Sequence, residues 1–126
     1  MDEVALRIGA PAGEPTLVDP GVLVIRVMKE QDVDTASQLA EVLSRALLKA
    51  PWAIVVDMSA LDGLDPRAVR VLAGAARWAG ELDIGYALAG PSQAIVATLR
   101  AAGCLMLFDI HGSPGEALMA LCGGPM

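Results

Sequence analysis

The sequence has little of what most catalytic and cofactor-binding sites are built from. Its 126 residues include one histidine, two cysteines and only 3% aromatic side chains. His111 has no serine or cysteine nucleophile at a spacing typical of a triad, and no glycine run forms a phosphate-binding loop. Cys104 and Cys122 form neither a CxxC pair nor a cluster with histidine, which argues against a metal or redox site. We therefore expect no catalytic residue, no cofactor and no metal.

Long apolar runs and a basic surface are also missing. The longest stretch without a charge, Ile84 to Leu99, is shorter than a membrane span and contains glycine and proline. Nine basic against fifteen acidic residues leave a net charge of -6, which opposes binding to nucleic acid or to an anionic membrane. The acidic N-terminus has no continuous apolar segment of a secretory signal. These features predict a cytoplasmic protein that binds no nucleic acid and does not insert into a membrane.

What the chain does have is an apolar fraction of 55%, arranged in short runs that alternate between strand and helix patterns. Four apolar runs have the length of strands: 21–28, 52–57, 84–89 and 105–110. Helical spacing and capping residues predict helices in four intervals: 34–50, 65–80, 91–102 and 115–121. The alternation predicts an α/β domain with about four helices and about four to six strands in a mixed, mostly parallel sheet.

The first twenty residues differ from the rest of the chain. Glycine or proline at positions 9, 11, 13, 15 and 20 breaks this segment into short extended pieces. We expect residues 1–20 to form an irregular extension or an extra strand or hairpin, and residues 21–126 to form the domain itself.

One alternative is a response-regulator receiver. The run from Ile54 to Gly63 is similar to a receiver's phosphoacceptor strand, with Asp57 at its end and an Asp-Gly turn behind it. Receivers also carry an acidic pair after their first strand and a lysine after their last. Val27-Met28-Lys29 and Phe108 to His111 stand in those places, so the chemistry of an acyl phosphate is incomplete.

The whole pattern resembles the STAS domain of bacterial anti-sigma-factor antagonists. Lys29 to Ala36 resembles the family's G-E-x-D-x-x-T-A, and Val55 to Val69 resembles its V-V-x-D-L-S-x-L-x-x-x-D-S-S-G-L. Ala89 to Phe108 resembles a third motif, which begins A-G-x-S and ends G-L-x-x-L-F. The resemblance runs over about residues 21 to 121 without large gaps.

The resemblance implies a non-catalytic regulatory module that binds a protein partner, either an anti-sigma factor or a related serine kinase. It places the partner surface on the loop before the first helix and at the start of the second helix. The residues carried over on that basis are Asp32, Thr35, Asp62, Asp65, Pro66, Arg67 and Arg70. The same pattern also resembles an accessory subunit of a membrane lipid-transport complex, which is the alternative function. Either function is compatible with a homodimer.

One departure from the family pattern bears on regulation. The serine that a partner kinase phosphorylates in regulated members is Pro66 here, and Arg67 replaces the following serine. No hydroxyl at these positions can therefore accept a phosphate. The charges are also unevenly divided, because residues 1–65 hold eleven acids and five bases while residues 66–126 hold four of each. Arg67, Arg70 and Arg77 lie on the second predicted helix, and this two-signed surface favours a protein partner.

Overall fold

The computed structural model describes residues 15–18, 21–28 and 34–123, which form a five-stranded sheet with helices on both faces. The strands are β1 (Pro15–Val18), β2 (Val22–Arg26), β3 (Ala53–Asp57), β4 (Gly85–Ala89) and β5 (Asp109–His111). The helices are α1 (Thr35–Leu48), α2 (Pro66–Glu81), α3 (Gln93–Ala101) and α4 (Pro114–Leu118). A 3₁₀ turn (Leu105–Leu107) precedes β5, and a π-helical turn (Met119–Gly123) follows α4.

The sheet places its strands in sequence order. β1 is antiparallel to β2, and β2, β3, β4 and β5 run parallel to one another. Right-handed crossovers between successive strands place α1, α2 and α3 on the same face. This arrangement confirms the predicted α/β class with a mixed, mostly parallel sheet. A receiver instead has its first strand between the second and the third, so the strand order does not match that alternative.

The main core lies between this sheet face and the three long helices. β2 and β3 contribute alternate residues to it, among them Ile25, Ile54 and Val56, because successive strand side chains point to opposite faces. The buried stripes of the helices supply Leu39, Leu43 and Leu47 from α1, Leu72 from α2, and Ile95 and Leu99 from α3. Burial of each such side chain contributes about 1.5–3 kcal/mol.

The opposite face of the sheet is covered by the short helix α4. The buried residues on this face of the sheet are small, and Ala117 of α4 packs against them. They are Val22, Ala53, Val55, Ala87 and Ala89. A side chain at Gly85 would meet the Ala53 Cβ at 3.1 Å and the Leu121 Cδ2 at 3.2 Å. The small residues therefore let one turn of helix approach the sheet closely.

Two predicted elements differ from the observed ones. The run 105–110 is not one strand, because Leu105–Leu107 forms a 3₁₀ turn and only Asp109–His111 pairs with β4. Gly103 follows α3 with φ +76°. Within the run, Met106 is 89% exposed whereas Phe108 is buried, so its apolar residues do not all enter the core. The last helix begins at Pro114 and gives way to the π-helical turn after Leu118.

The N-terminal prediction is only partly covered by the structure. Residues 15–18 form β1, whereas residues 1–14 and 19–20 lie outside the described residues. The proposed boundary at residue 21 stays a prediction. Among the helices in the part of the chain that the structure describes, none is long and apolar enough to cross a membrane.

Candidate functional site

Three helix N-termini meet at the carboxyl edge of the parallel strands. The register aligns Arg26 with Asp57 and Asp57 with Ala89, so β2, β3 and β4 end at the same level. Each following helix then begins with a side-chain cap. Asp34, Asp65 and Ser92 accept hydrogen bonds from the backbone N–H groups of Ser37, Ala68 and Ile95, at 3.3, 2.8 and 3.2 Å. This edge therefore presents the positive ends of three helix dipoles.

The loop between β3 and α2 is fixed by hydrogen bonds at its start and in its middle. Asp57 is 8% exposed, and its Oδ1 accepts from the Ser59 N–H at 3.1 Å and from the Ser59 hydroxyl at 2.8 Å. Farther along, the Ser92 hydroxyl donates to the Asp62 carbonyl at 3.1 Å. The middle of the loop is thus attached to the start of α3. The segment from Asp62 to Pro66, which is exposed except for the half-buried Leu64, is therefore preorganised.

The geometry of Asp57 also bears on the receiver alternative. A phosphoacceptor aspartate needs an accessible carboxylate oxygen, with a lysine near the phosphate. The Asp57 side chain is buried and one of its oxygens is already bonded twice by Ser59. Its role in this structure is to cap the turn that follows β3.

An ion pair joins the starts of α1 and α2. The Arg67 Nη2 lies 2.9 Å from the Asp34 Oδ2, and the two side chains are 62% and 35% exposed. The same oxygen accepts from the Ser37 hydroxyl at 3.0 Å. The Ser37 hydroxyl, followed by the Arg67 charge, lowers the pKa of Asp34 below its ordinary value of 3.8. Asp34 is therefore held as a carboxylate between the two helices.

The structure brings most of the predicted site residues to this edge. Asp62, Asp65 and Pro66 are exposed at the end of the loop and the start of α2, and Thr35 opens α1. Arg67 and Arg70 line an open groove between α1 and α2, together with Ala36, Ser37, Ala40 and Val71. Asp32 lies outside the described residues.

Sequence reasoning missed two members of this cluster. Neither Asp34 nor Ser37 is among the predicted partner-binding residues. The available signal was the position of both residues in the first turn of a predicted helix, where an aspartate at the N-cap bonds a residue three positions later. Within the described ranges, no group of three or more histidine, cysteine, aspartate or glutamate residues is placed to hold a metal ion.

The fold and this polar edge define a class of small α/β module in which an antiparallel first strand is followed by parallel strands in sequence order. The family model of the STAS domain matches residues 15–117, which is most of the chain. The protein therefore belongs to the STAS domain family. A comparison with curated protein sequences finds no significant match.

Solved structures similar to this chain include several anti-sigma factor antagonists. A variant of RsbS from Moorella thermoacetica is 26% identical, with 86% of this chain and 93% of that chain covered and a TM-score of 0.76. An anti-sigma factor antagonist from Mycobacterium paratuberculosis is 25% identical, with 85% and 90% covered and a TM-score of 0.74. SpoIIAA of Bacillus in its unphosphorylated form is 20% identical, with 90% and 98% covered and a TM-score of 0.73, and shares the fold.

Proposed function

We propose that this STAS domain is a non-catalytic regulatory module of the cytoplasm that binds an anti-sigma factor or a related serine kinase. The contact surface is the carboxyl edge of the sheet, where the start of α1, the loop before α2 and the first turn of α2 lie together. The residues assigned to it are Thr35, Asp62, Asp65, Pro66, Arg67 and Arg70, together with Asp32, which lies outside the described residues.

The observation that carries this proposal is the preorganised state of the edge. The Ser92 hydroxyl holds the loop at the Asp62 carbonyl, and the Arg67–Asp34 ion pair ties the second helix to the first. A surface whose groups are already ordered loses less conformational entropy when it binds a partner. The edge also carries charges of both signs, which is the arrangement that gives orientation and specificity in protein–protein contacts.

The start of α2 further determines how such binding is controlled. Pro66 occupies the first helical position and Asp65 caps the helix, so the segment is well formed but carries no hydroxyl at positions 66 and 67. A phosphate at this place would add about two negative charges and change partner affinity. We infer that binding through this edge is not switched by phosphorylation at the usual site.

Affinity capture from native cells, followed by reconstitution with the purified captured protein, tests the proposal. The variant Asp65→Asn keeps a capping oxygen while it removes the charge, and Arg67→Gln removes the cation. We expect the double variant to lose the partner, whereas Arg77→Gln, which changes an exposed arginine farther along α2, retains it. Unchanged affinity of the double variant would refute the assigned surface. Thermal melts of the wild type, the double variant and Arg77→Gln are the control for folding.

A further inference from the structure

An open groove of 340 Å³ lies between the first turns of α1 and α2. Ser37, Arg67 and Arg70 provide its polar side chains, and the remaining lining is apolar and consists of Ala36, Ala40 and Val71. The two alanines extend only a methyl group each toward the neighbouring helix, which leaves space between the helices. We call this feature the α1–α2 groove.

The groove is a basic site on an acidic protein. The net charge of the chain is -6, yet two of its nine basic residues line this one groove. Among residues 15–18, 21–28 and 34–123, the one ion pair is Arg67 with Asp34. Arg70 pairs with no described carboxylate, and Glu41, which lies one turn beyond Ser37 on α1, pairs with no described cation. A guanidinium offers five N–H donors in a planar fork, so the groove has capacity for a second carboxylate.

The lining indicates which kind of carboxylate fits. A free anion such as phosphate is fully polar and gains nothing from the methyl groups of Ala36, Ala40 and Val71. A glutamate or aspartate side chain of another protein brings an apolar stem together with its charge. Arg67 and Arg70 are the charged side chains that line the groove, so charge complementarity favours an acidic segment there.

We propose that the α1–α2 groove receives an acidic side chain of the protein partner, an inference that rests on the proposed function and specifies the partner's chemistry. Arg70 binds the incoming carboxylate with two parallel N–H bonds, the geometry that arginine favours. Arg67 is shared between that carboxylate and Asp34, 2.9 Å from its Nη2. The stem of the acidic side chain lies against the alanines of α1.

The test uses the full chain, labelled with ¹⁵N, and two synthetic peptides as probes. One peptide is acetyl-Ala-Glu-Glu-Ala-amide, and the other has glutamine in place of both glutamates. We expect saturable shifts of the Arg70 Nε–H and the Ser37 amide with the glutamate peptide only. Loss of a charge-assisted pair weakens binding by about tenfold, so Arg70→Gln should raise the peptide Kd by about that factor. The matched variant Arg77→Gln should leave the Kd unchanged.

Four outcomes overturn the proposal. The first two are the absence of saturable shifts and equal shifts with the glutamine peptide. The third is equal weakening by Arg70→Gln and Arg77→Gln, which would indicate a diffuse charge effect. The fourth is a response to inorganic phosphate without a response to the glutamate peptide, which would indicate a free-anion site. None of these four outcomes fixes the result of the capture experiment with the Asp65→Asn/Arg67→Gln double variant. The proposed function and this inference can therefore be refuted independently.

Discussion

Replacing Asp57 tests whether the loop that carries the site depends on a buried carboxylate. The Asp57 Oδ1 accepts the Ser59 N–H at 3.1 Å and the Ser59 hydroxyl at 2.8 Å at the point where β3 ends. Asp57→Ala removes both hydrogen bonds, Asp57→Asn keeps one acceptor oxygen, and Ser59→Ala removes only the hydroxyl donor. The three variants therefore separate the two bonds.

The structure sets the size of the expected effect. A hydrogen bond to a charged group contributes about 1.5–3 kcal/mol. Ser59 is exposed, so its freed donors can bind water and the two bonds together should contribute about 2–3 kcal/mol. In a domain of this size each kcal/mol shifts the Tm by about 4 °C. Asp57→Ala should then lower the Tm by about 8–12 °C, and Asp57→Asn by less than half of that.

Urea denaturation followed by circular dichroism measures these free energies of unfolding, and the double variant Asp57→Ala/Ser59→Ala completes a thermodynamic cycle. We expect a coupling of about 1 kcal/mol between the two positions. Additive effects, or an Asp57→Ala protein as stable as the wild type, would refute the reasoning. Incubation with acetyl phosphate and magnesium should also leave Asp57 unmodified, whereas a stable acyl phosphate on Asp57 would favour the receiver alternative.

Three further predictions concern single positions. The pKa of Asp34 is lowered in the folded state, so the Asp34 carboxylate should stabilise the fold above pH 3.8 and lose that effect as the pH falls through its folded pKa. In urea denaturation, the free energies of unfolding of Asp34→Asn and the wild type should therefore converge at low pH. Gly90 has φ +66° and an added Cβ would lie 3.1 Å from the Ser59 Cβ, so Gly90→Ala should cost at least about 1–2 kcal/mol in a thermal melt. Leu72→Ala should cost about 2–5 kcal/mol in urea denaturation, whereas Leu48, which is 74% exposed, should tolerate alanine with little loss.

Local patterns were sufficient to predict the architecture and two details of the site. The β3 strand is apolar at consecutive positions, which is typical of strands covered on both faces, and all five of its residues are buried. Helical spacing and capping residues predict a helix over 65–80, and α2 begins at Pro66 with Asp65 as its cap. Both predictions depend only on neighbours in the chain, and both are confirmed.

Features that depend on distant residues were not predictable in the same way. Asp34 and Arg67 are far apart in the sequence, and they meet only because right-handed crossovers place α1 and α2 side by side. The run 105–110 has the composition of a strand, but half of it forms a 3₁₀ turn and only Asp109–His111 pairs with β4. Composition indicates a preference for a strand, and the neighbouring strand decides where pairing occurs.

Site-specific photocrosslinking in the native cell tests the central claim most directly. A photoreactive amino acid at position 62, on the exposed loop before α2, should capture an anti-sigma factor or related kinase that mass spectrometry identifies. The same group at Leu82, which is 48% exposed just after the far end of α2, is the matched control and should not capture it. Capture of that partner from position 62 alone is the result that the account predicts. Equal capture from both positions, or capture from Leu82 alone, would contradict the claim that the carboxyl edge of the sheet binds the partner.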